Sequence, residues 1–310
     1  MTVGEAGEFG LIDRIIARLE PGDHTALGPG DDAAVILAPD GRVVASTDLL
    51  VEGRHFRRDW SGGYDIGRKA AAQSLADIAA MGAVTTALLV GVGCPPQTAV
   101  DWFDSLVDGM RDEAATVGAA VVGGDLVRAE QVTLAVTALG DLQGRAPVTR
   151  SGARAGDVVA LYGRLGWAAA GLAVLGHGFR SPAVLVEAHR RPTPPYAEGP
   201  RAALAAATSM IDVSDGLVQD VGHIATASMV AIDLDRDAFE VPRQLSDVAA
   251  ALGKDPYEWI LAGGEDHALV ATFSARAPEG WRVVGAVSTG EGVTVDGKPA
   301  AGGHDHFGSA

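Results

Sequence analysis

Acidic residues in apolar surroundings are the first feature of this chain that could do chemistry. Asp48 closes the triplet Ser46-Thr47-Asp48, between the strand-like Val43-Val44-Ala45 and a second apolar run. Asp77 lies among small residues in Ser74-Leu75-Ala76-Asp77-Ile78-Ala79-Ala80, and Asp125 ends Val121-Val122-Gly123-Gly124-Asp125. Asp212 and Asp215 flank a hydroxyl in Asp212-Val213-Ser214-Asp215-Gly216, and Glu265 with Asp266 follows Gly263-Gly264. A further pair, Asp31 and Asp32, ends the glycine turn Gly28-Pro29-Gly30. A carboxylate in an apolar segment is costly to bury without a partner, and Asp is poorly suited to a strand interior. The chain holds only three lysines, so basic partners are few. Scattered acids with glycine or small neighbours therefore suggest a shared site of hard oxygen ligands, as magnesium prefers. For any single acid a helix N-cap or a turn is the alternative. That alternative weakens for the whole set, because turn acids usually sit in polar surroundings.

The stretch around Asp212 says more than the others. Its acids flank Ser214 just before a predicted helix, whose N-terminal amides could receive phosphate while the acids hold a metal against it. Capping by Ser214 or Asp215 is the competing reading. Arg150, in Arg150-Ser151-Gly152, could clamp a phosphate or be an ordinary linker arginine. Gly28–Ala33 fits the dinucleotide fingerprint G-x-G-x-x-A on paper. No strand precedes it, however, strand-like residues follow it, and two carboxylates would face a pyrophosphate. There is no P-loop, no protein-kinase catalytic loop and no nucleophile elbow. The eight histidines show no metal spacing, and the single cysteine, Cys94, excludes an intrachain disulfide and is expected in the core.

Composition narrows the partners. A net charge of −16 argues against nucleic acid, which needs clustered basic residues. An acidic protein can still bind phosphates where metal ions intervene. The 310 residues, 47% hydrophobic and 21% charged, allow one large or two ordinary domains. No apolar stretch reaches membrane-spanning length. The start, MTVGEAGEFG, lacks the features of a signal peptide, so a cytoplasmic location is expected.

The elements that must position the acids follow from periodicity. Helices are expected over 9–19, 64–81, 98–117, 167–175 and 199–207, with another opening at Asp215-Gly216. On the helix over 64–81, Ala70, Gln73 and Asp77 share one face. Strands are expected at Thr86–Val92, Ala119–Val122, Val132–Leu139, Asp157–Tyr162, Val230–Leu234, Ala268–Phe273, Val283–Ala286 and Val293–Val295. Arg190–Tyr196 should be extended, since proline forbids helix there. Strands and helices alternate, which favours α/β or α+β. The Gly-, Arg- and Pro-rich Gly144–Gly156 sets a domain boundary, giving domains at 1–145 and 146–310.

With these motifs in place, the chain resembles the thiamine-monophosphate kinase family, within the wider group of aminoimidazole ribonucleotide synthetase and selenophosphate synthetase. The matching segments are Glu8–Ile12, Gly28–Ala33, Ser46-Thr47-Asp48, Gly53-Arg54-His55-Phe56, Leu75–Ala83, Gly123-Gly124-Asp125, Thr149–Gly152, Ile211–Leu217, Gly263–Asp266 and Asp305-His306-Phe307. They occur in the family's order and span essentially the whole chain. The resemblance implies a two-domain aminoimidazole ribonucleotide synthetase-like fold, with the N-terminal sheet at a homodimer interface and a C-terminal α/β domain completing the nucleotide and substrate site. It implies ATP-dependent phosphorylation of thiamine monophosphate to thiamine diphosphate, with several magnesium ions. Family metal positions fall on Asp32, Ser46, Thr47, Asp48, Asp77, Asp125, Asp212 and Asp215. Nucleotide contacts fall on Gly124, Asp125, Arg150 and Ser214, and substrate contacts on His55 and Glu265. The family usually places tyrosine or tryptophan shortly before the terminal Asp-His-Phe; His304 stands there and can still stack on a thiazolium or pyrimidine ring.

Residue chemistry and resemblance agree on mechanism. Both substrates are polyanions that repel each other, and metal held by the aspartates would neutralise and align them. The acceptor phosphate is already ionised at neutral pH, so no catalytic base is expected, and none is evident. A sister synthetase is the nearest rival. Selenophosphate synthetases carry an N-terminal nucleophilic Cys or selenocysteine beside a lysine, and hydrogenase-maturation relatives a C-terminal cysteine. This chain has neither near its start or at His306-Phe307-Gly308-Ser309-Ala310. A non-catalytic nucleotide and magnesium sensor is the reading from a different class.

Overall fold

Thr2 and Glu5 start the first helix earlier than the apolar spacing suggests. In the computed structural model, which describes residues 1–29 and 33–304, the Thr2 hydroxyl accepts the Glu5 N–H at 3.2 Å and the Glu5 carboxylate accepts the Thr2 N–H at 2.8 Å. This reciprocal cap satisfies two orphan donors. Helix α1 (Val3–Ile16) then kinks at Gly7. Two units make up the chain: Met1–Ile78 with Ala83–Gly144, and Ala79–Gly82 with Arg145–Ala310.

In the first unit a short ribbon of β1 (Thr25–Leu27) and β2 (Val35–Ile36) is followed by β3 (Val44–Val51), α2 (Gly63–Ala80), β4 (Val84–Cys94), α3 (Val100–Ala115), β5 (Ala120–Arg128) and β6 (Thr133–Asp141). The four-stranded sheet has the order β3-β6-β4-β5. β4 and β5 are parallel, joined through α3, and the other pairs are antiparallel. Alternation along β6 buries Leu134, Val136 and Ala138 and leaves Thr133, Ala135 and Thr137 only half-covered, so one face carries the core. Leu50, Leu88, Leu75, Ile78, Phe103 and Leu106 complete it. Cys94 is buried at the end of β4, and burial pushes its thiol pKa up.

The strand expected to stop at Val122 instead continues through Gly123-Gly124-Asp125 to Arg128. The glycines permit this, because a Cβ at Gly124 would stand 1.9 Å from the Val90 carbonyl oxygen. The α2–α3 crossing depends on the same device. A Cβ at Gly67 would lie 2.1 Å from the Leu106 oxygen, and one at Gly109 2.2 Å from the Tyr64 oxygen. Outside this crossing the helices are clamped by charge: Arg68 pairs with Glu113, and Arg14 and Arg18 pair with Asp104.

The second unit contains β7 (Val158–Tyr162), α4 (Trp167–Gly176), α5 (Ala183–Arg190), α6 (Glu198–Leu204), β8 (Ser209–Asp212), α7 (Leu217–Ser228), β9 (Ala231–Leu234), α8 (Arg243–Leu252), α9 (Pro256–Ala262), β10 (Leu269–Phe273), β11 (Arg282–Ser288), β12 (Gly292–Val295) and β13 (Lys298–Pro299). Its seven-stranded sheet runs β13-β12-β9-β11-β7-β10-β8, with only β12 and β9 parallel. Phe273 packs edge-on against Trp281, ring centroids 5.5 Å apart, over Ala160, Met210 and Ala271. The helix expected over 199–207 ends at Leu204, because Ala206 turns left-handed at φ 60°. Helices α5, α8 and α9 fill stretches where the sequence reading placed no element. The architecture is the expected mixed α/β arrangement.

The glycine crossing generates a paired test. Gly67→Ala should destabilise the protein by about 2 kcal/mol or more, against the roughly 1 kcal/mol that alanine gains in a helix. Gly10→Ala, in α1 with nothing within 4 Å of its added carbon, should be neutral or stabilising by up to about 1 kcal/mol. Urea unfolding midpoints of the two variants check the contrast.

Candidate active site

Each unit gathers its own group of candidate residues. In the first, β3 pairs with β6 so that Ser46, Asp48 and Leu50 lie opposite Ala138, Val136 and Leu134. Those β6 residues are fully buried, so Ser46 and Asp48 face the covered side of the sheet, towards α2. The Ser74 hydroxyl donates to Asp48 Oδ2 at 2.7 Å, and Ser46 donates to Asp77. The partner of Asp48 is therefore a hydroxyl, not a cation. Thr47 is separated from this group. Strand alternation puts its side chain on the opposite face, where it bonds Thr137 Oγ1 at 2.9 Å.

Gly124 and Asp125 sit further along the sheet, on β5. Asp125 is exposed and its Oδ1 accepts the N–H of Leu126 at 2.9 Å. Both residues line a cavity of about 860 Å³ whose walls include Ile12, Ile16, Leu89 and Thr137. His55 accepts the Val51 N–H on Nδ1 at 3.0 Å, so the neutral ring carries its proton on Nε2. Asp32 lies outside the described residues.

In the second unit β8 delivers Asp212 to the mouth of a tightly strapped loop. The Val213 N–H bonds the Ala268 carbonyl at 2.8 Å, the His267 N–H bonds Val213 at 3.0 Å and the Glu265 N–H bonds Ser214 at 2.9 Å. The C-terminal segment joins from another side: the His304 N–H bonds the Asp215 carbonyl at 2.9 Å and the Gln219 amide bonds the His304 carbonyl at 2.8 Å. Asp212, Ser214, Asp215, Glu265 and His304 are thus brought together. A Cβ at Gly264 would meet the Ser214 oxygen at 2.1 Å, so that position must be glycine. Glu265 and His267 both adopt left-handed backbone, at φ 70° and 53°. Such conformations in non-glycine residues cluster at functional sites.

Neither Ser214 nor Asp215 caps α7. The capping position is Gly216, with no side-chain hydrogen bond. Instead Asp220, one turn into the helix, accepts the N–H groups of Asp215 and Gly216, each at 3.1 Å. Burial, followed by the nearby charge of Asp212, raises the Asp220 pKa to about 7. Arg150 is not brought beside Ser214 within this unit. Its carbonyl accepts from Ser228 at 2.7 Å, at the far end of α7 from Ser214.

Sequence reasoning missed Ser74, Asp220 and His267, and named Asp266 among the acids without giving it a role. Asp266 is fully buried, accepts the Ala168 N–H at 3.0 Å at the start of α4, and its pKa is raised to about 6 by burial. Asp212 is held by His267, Nδ1 to Oδ2 at 3.0 Å.

Among the described residues no group of three or more His, Cys, Asp or Glu side chains could hold a metal ion alone. Magnesium rarely needs such a cage; it is usually bound by one or two carboxylates plus substrate phosphates and water. Hard oxygen donors are what both groups supply. Asp48 has a hydroxyl for a partner, and crowding with Asp212 and Asp215 helps hold Asp220 near neutrality. These are places where a divalent cation is compatible with the donor set.

Residues 30–142 match the family model described as AIR synthase related protein, N-terminal domain. The chain is 52% identical over 299 residues to thiamine-monophosphate kinase of Mycobacterium tuberculosis (strain ATCC 25618 / H37Rv), covering 96% of this chain and 90% of that protein. The crystal structure of thiamine-monophosphate kinase from Stenotrophomonas maltophilia K279a aligns with a TM-score of 0.84 at 33% identity, covering 95% of this chain and 98% of that one. AaThiL complexed with AMPPCP and TMP aligns with a TM-score of 0.81 at 31% identity, covering 99% of both chains. The matched residues 30–142 thus carry an AIR synthase related N-terminal domain. Within that class, the chain belongs to the thiamine-monophosphate kinase family.

The buried acid beside Glu265 gives a pH test. With its folded pKa raised to about 6, Asp266 binds its proton more tightly in the native than in the unfolded state. Its contribution to stability is fully present below the unfolded value of about 3.9 and is lost as pH rises towards 6. Asp266→Asn, neutral throughout, should therefore gain on wild type between pH 4 and 7, by up to about 3 kcal/mol. Denaturant melts of both proteins at pH 4.0, 5.5 and 7.0 check the trend.

Proposed function

We propose that this protein transfers the γ-phosphoryl group of ATP directly to the phosphate of thiamine monophosphate, releasing ADP and thiamine diphosphate. One observation carries the reading: a relative aligning over 99% of both chains at a TM-score of 0.81 was solved as a complex with AMPPCP and TMP. An oxygen of the acceptor phosphate forms the new bond to the γ-phosphorus as the bond to ADP breaks. That oxygen is already ionised, so the protein need not remove a proton from it. A reaction that consumes ATP fits a cytoplasmic location.

Magnesium, when bound, neutralises the phosphate charges and stabilises charge shifting to the leaving oxygen. Asp48, Asp77 and Ser46 in the first unit would hold it, together with Asp125 and Asp32. In the second unit Asp212 and Asp215 would do so. Thr47 could join only through its backbone carbonyl, since its side chain lies on the other face. Ser74 orients the Asp48 carboxylate. The exposed Gly124 fits close approach of a nucleotide backbone, beside the apolar cavity. Ser214 and Arg150 are assigned to the nucleotide, and His55, Glu265 and His304 to the thiamine phosphate. In this division of labour the first unit serves ATP, metal and dimer formation, and the second completes the nucleotide and substrate site.

A homodimer through the N-terminal sheet is part of the reading. Supporting it, the sheet face opposite the helices leaves Leu49 at 61% exposure and Leu89 at 37%. Sedimentation at micromolar concentration should give twice 31.6 kDa; a persistent monomer would count against the dimer.

Turnover is tested by ADP and thiamine diphosphate formation from the two substrates, with and without magnesium. Asp48→Asn keeps shape but removes a charge from the site, so activity should fall by roughly 10³-fold or more. Without magnesium its melting temperature should equal or exceed wild type, because like charges repel less. With magnesium and a non-hydrolysable ATP analogue, wild type should gain more. A structural Asp48 gives the reverse: a lower melting point without metal and normal turnover by the folded fraction.

A further inference from the structure

Asp212 is gripped by a residue to which the proposed reaction gives no task. His267 is 3% exposed, and its Nδ1 stands 3.0 Å from Asp212 Oδ2. A carboxylate only accepts, so Nδ1 carries the proton and donates. The backbone aims the ring. β10 and β8 pair with Leu269 opposite Asp212, and the His267 N–H bonds the Val213 carbonyl at 3.0 Å. Between these two ties His267 adopts φ 53°, a conformation costly for most side chains and more often adopted by Asn, Asp and His. Two backbone bonds thus hold a strained residue where its imidazole meets the carboxylate.

Nearby charge gives this contact a purpose. Asp220, also buried, is tied by the N–H groups of Asp215 and Gly216 into the loop that follows Asp212, so a second carboxylate is held in the same loop. Left to itself, the Asp212 side chain would rotate away from its acidic neighbour. A donor on Oδ2 fixes that rotation and leaves Oδ1 for a cation.

We propose that His267 is a positioning residue for Asp212, setting the orientation in which this carboxylate meets magnesium. The proposal rests on the assignment of Asp212 as a magnesium ligand. Losing a partner of this kind typically lowers metal affinity by about 10- to 100-fold.

Magnesium titrations followed by melting temperature, with a non-hydrolysable ATP analogue present, test the idea on the full-length chain. Two variants remove the donor: His267→Phe keeps an aromatic ring, and His267→Gly suits the left-handed backbone if the first fails to fold. Either should raise the magnesium midpoint by about tenfold or more. His267→Asn, which restores an N–H and tolerates this backbone, should stay within about threefold of wild type. In an Asp212→Asn background, removing the His267 donor should shift the midpoint no further. In activity assays the donor-less variants should need more magnesium yet recover most of kcat at saturation. An unchanged midpoint in a folded donor-less variant would overturn the proposal, as would an equal shift in the Asp212→Asn background. If Asp212→Asn alone leaves the midpoint unchanged, the ligand assignment itself fails and takes the proposal with it.

Discussion

Carboxylates held near one another in a poorly hydrated loop repel, and the second unit of this protein is arranged around that constraint. The energy grows as the local dielectric falls; at Asp220 burial, and after it the charge of Asp212, raises the carboxyl pKa to about 7. The usual remedy is a lysine or arginine in direct contact. Among the described residues, a serine donates to Asp48, another to Asp77, an imidazole to Asp212 and backbone N–H groups to Asp220. Hydroxyls and amides fix an orientation without cancelling the charge. Arginine is spent elsewhere, at Arg14, Arg18 and Arg68, where it ties α1 and α2 to α3.

Holding side chains this way requires backbone placed to within fractions of an ångström, and glycine makes that possible in both units. Gly67 and Gly109 bring α2 and α3 so near that no side chain fits between them. Gly264 lets the loop after α9 lie directly on the Ser214 carbonyl. The left-handed backbone at Glu265 and His267 is held by their N–H bonds to the Ser214 and Val213 carbonyls, just beyond the pairing of β8 with β10.

Much of this was legible in the sequence. An acid among Val, Ile and Ala announces an unusual environment, and every cluster named on that ground within the described residues lies on a sheet, a helix or a loop beside one. Strand alternation could have separated Thr47 from Asp48, which the family pattern grouped and the structure places on opposite faces. Asp255-Pro256 is a regular helix start, with the Asp255 side chain accepting the Tyr257 N–H at 3.0 Å. Helix α9 could therefore have been read from its cap. The holding residues were not legible. Ser74 and Asp220 look like ordinary helix positions, and His267 is 55 residues from the carboxylate it holds. Their meaning comes only from which strands pair, and pairing at that separation leaves no local mark.

One consequence of the sheet order reaches beyond chemistry at the acids. β4 hydrogen-bonds to both β5 and β6, and the only thiol in the chain, Cys94, closes that strand with 2% of its surface exposed. A buried thiol with a raised pKa reacts with alkylating reagents only when its surroundings open. The protein thus carries an internal reporter confined to its first unit. The rate at which Cys94 is labelled reads the opening of that sheet alone, while the second unit, having no cysteine, stays silent.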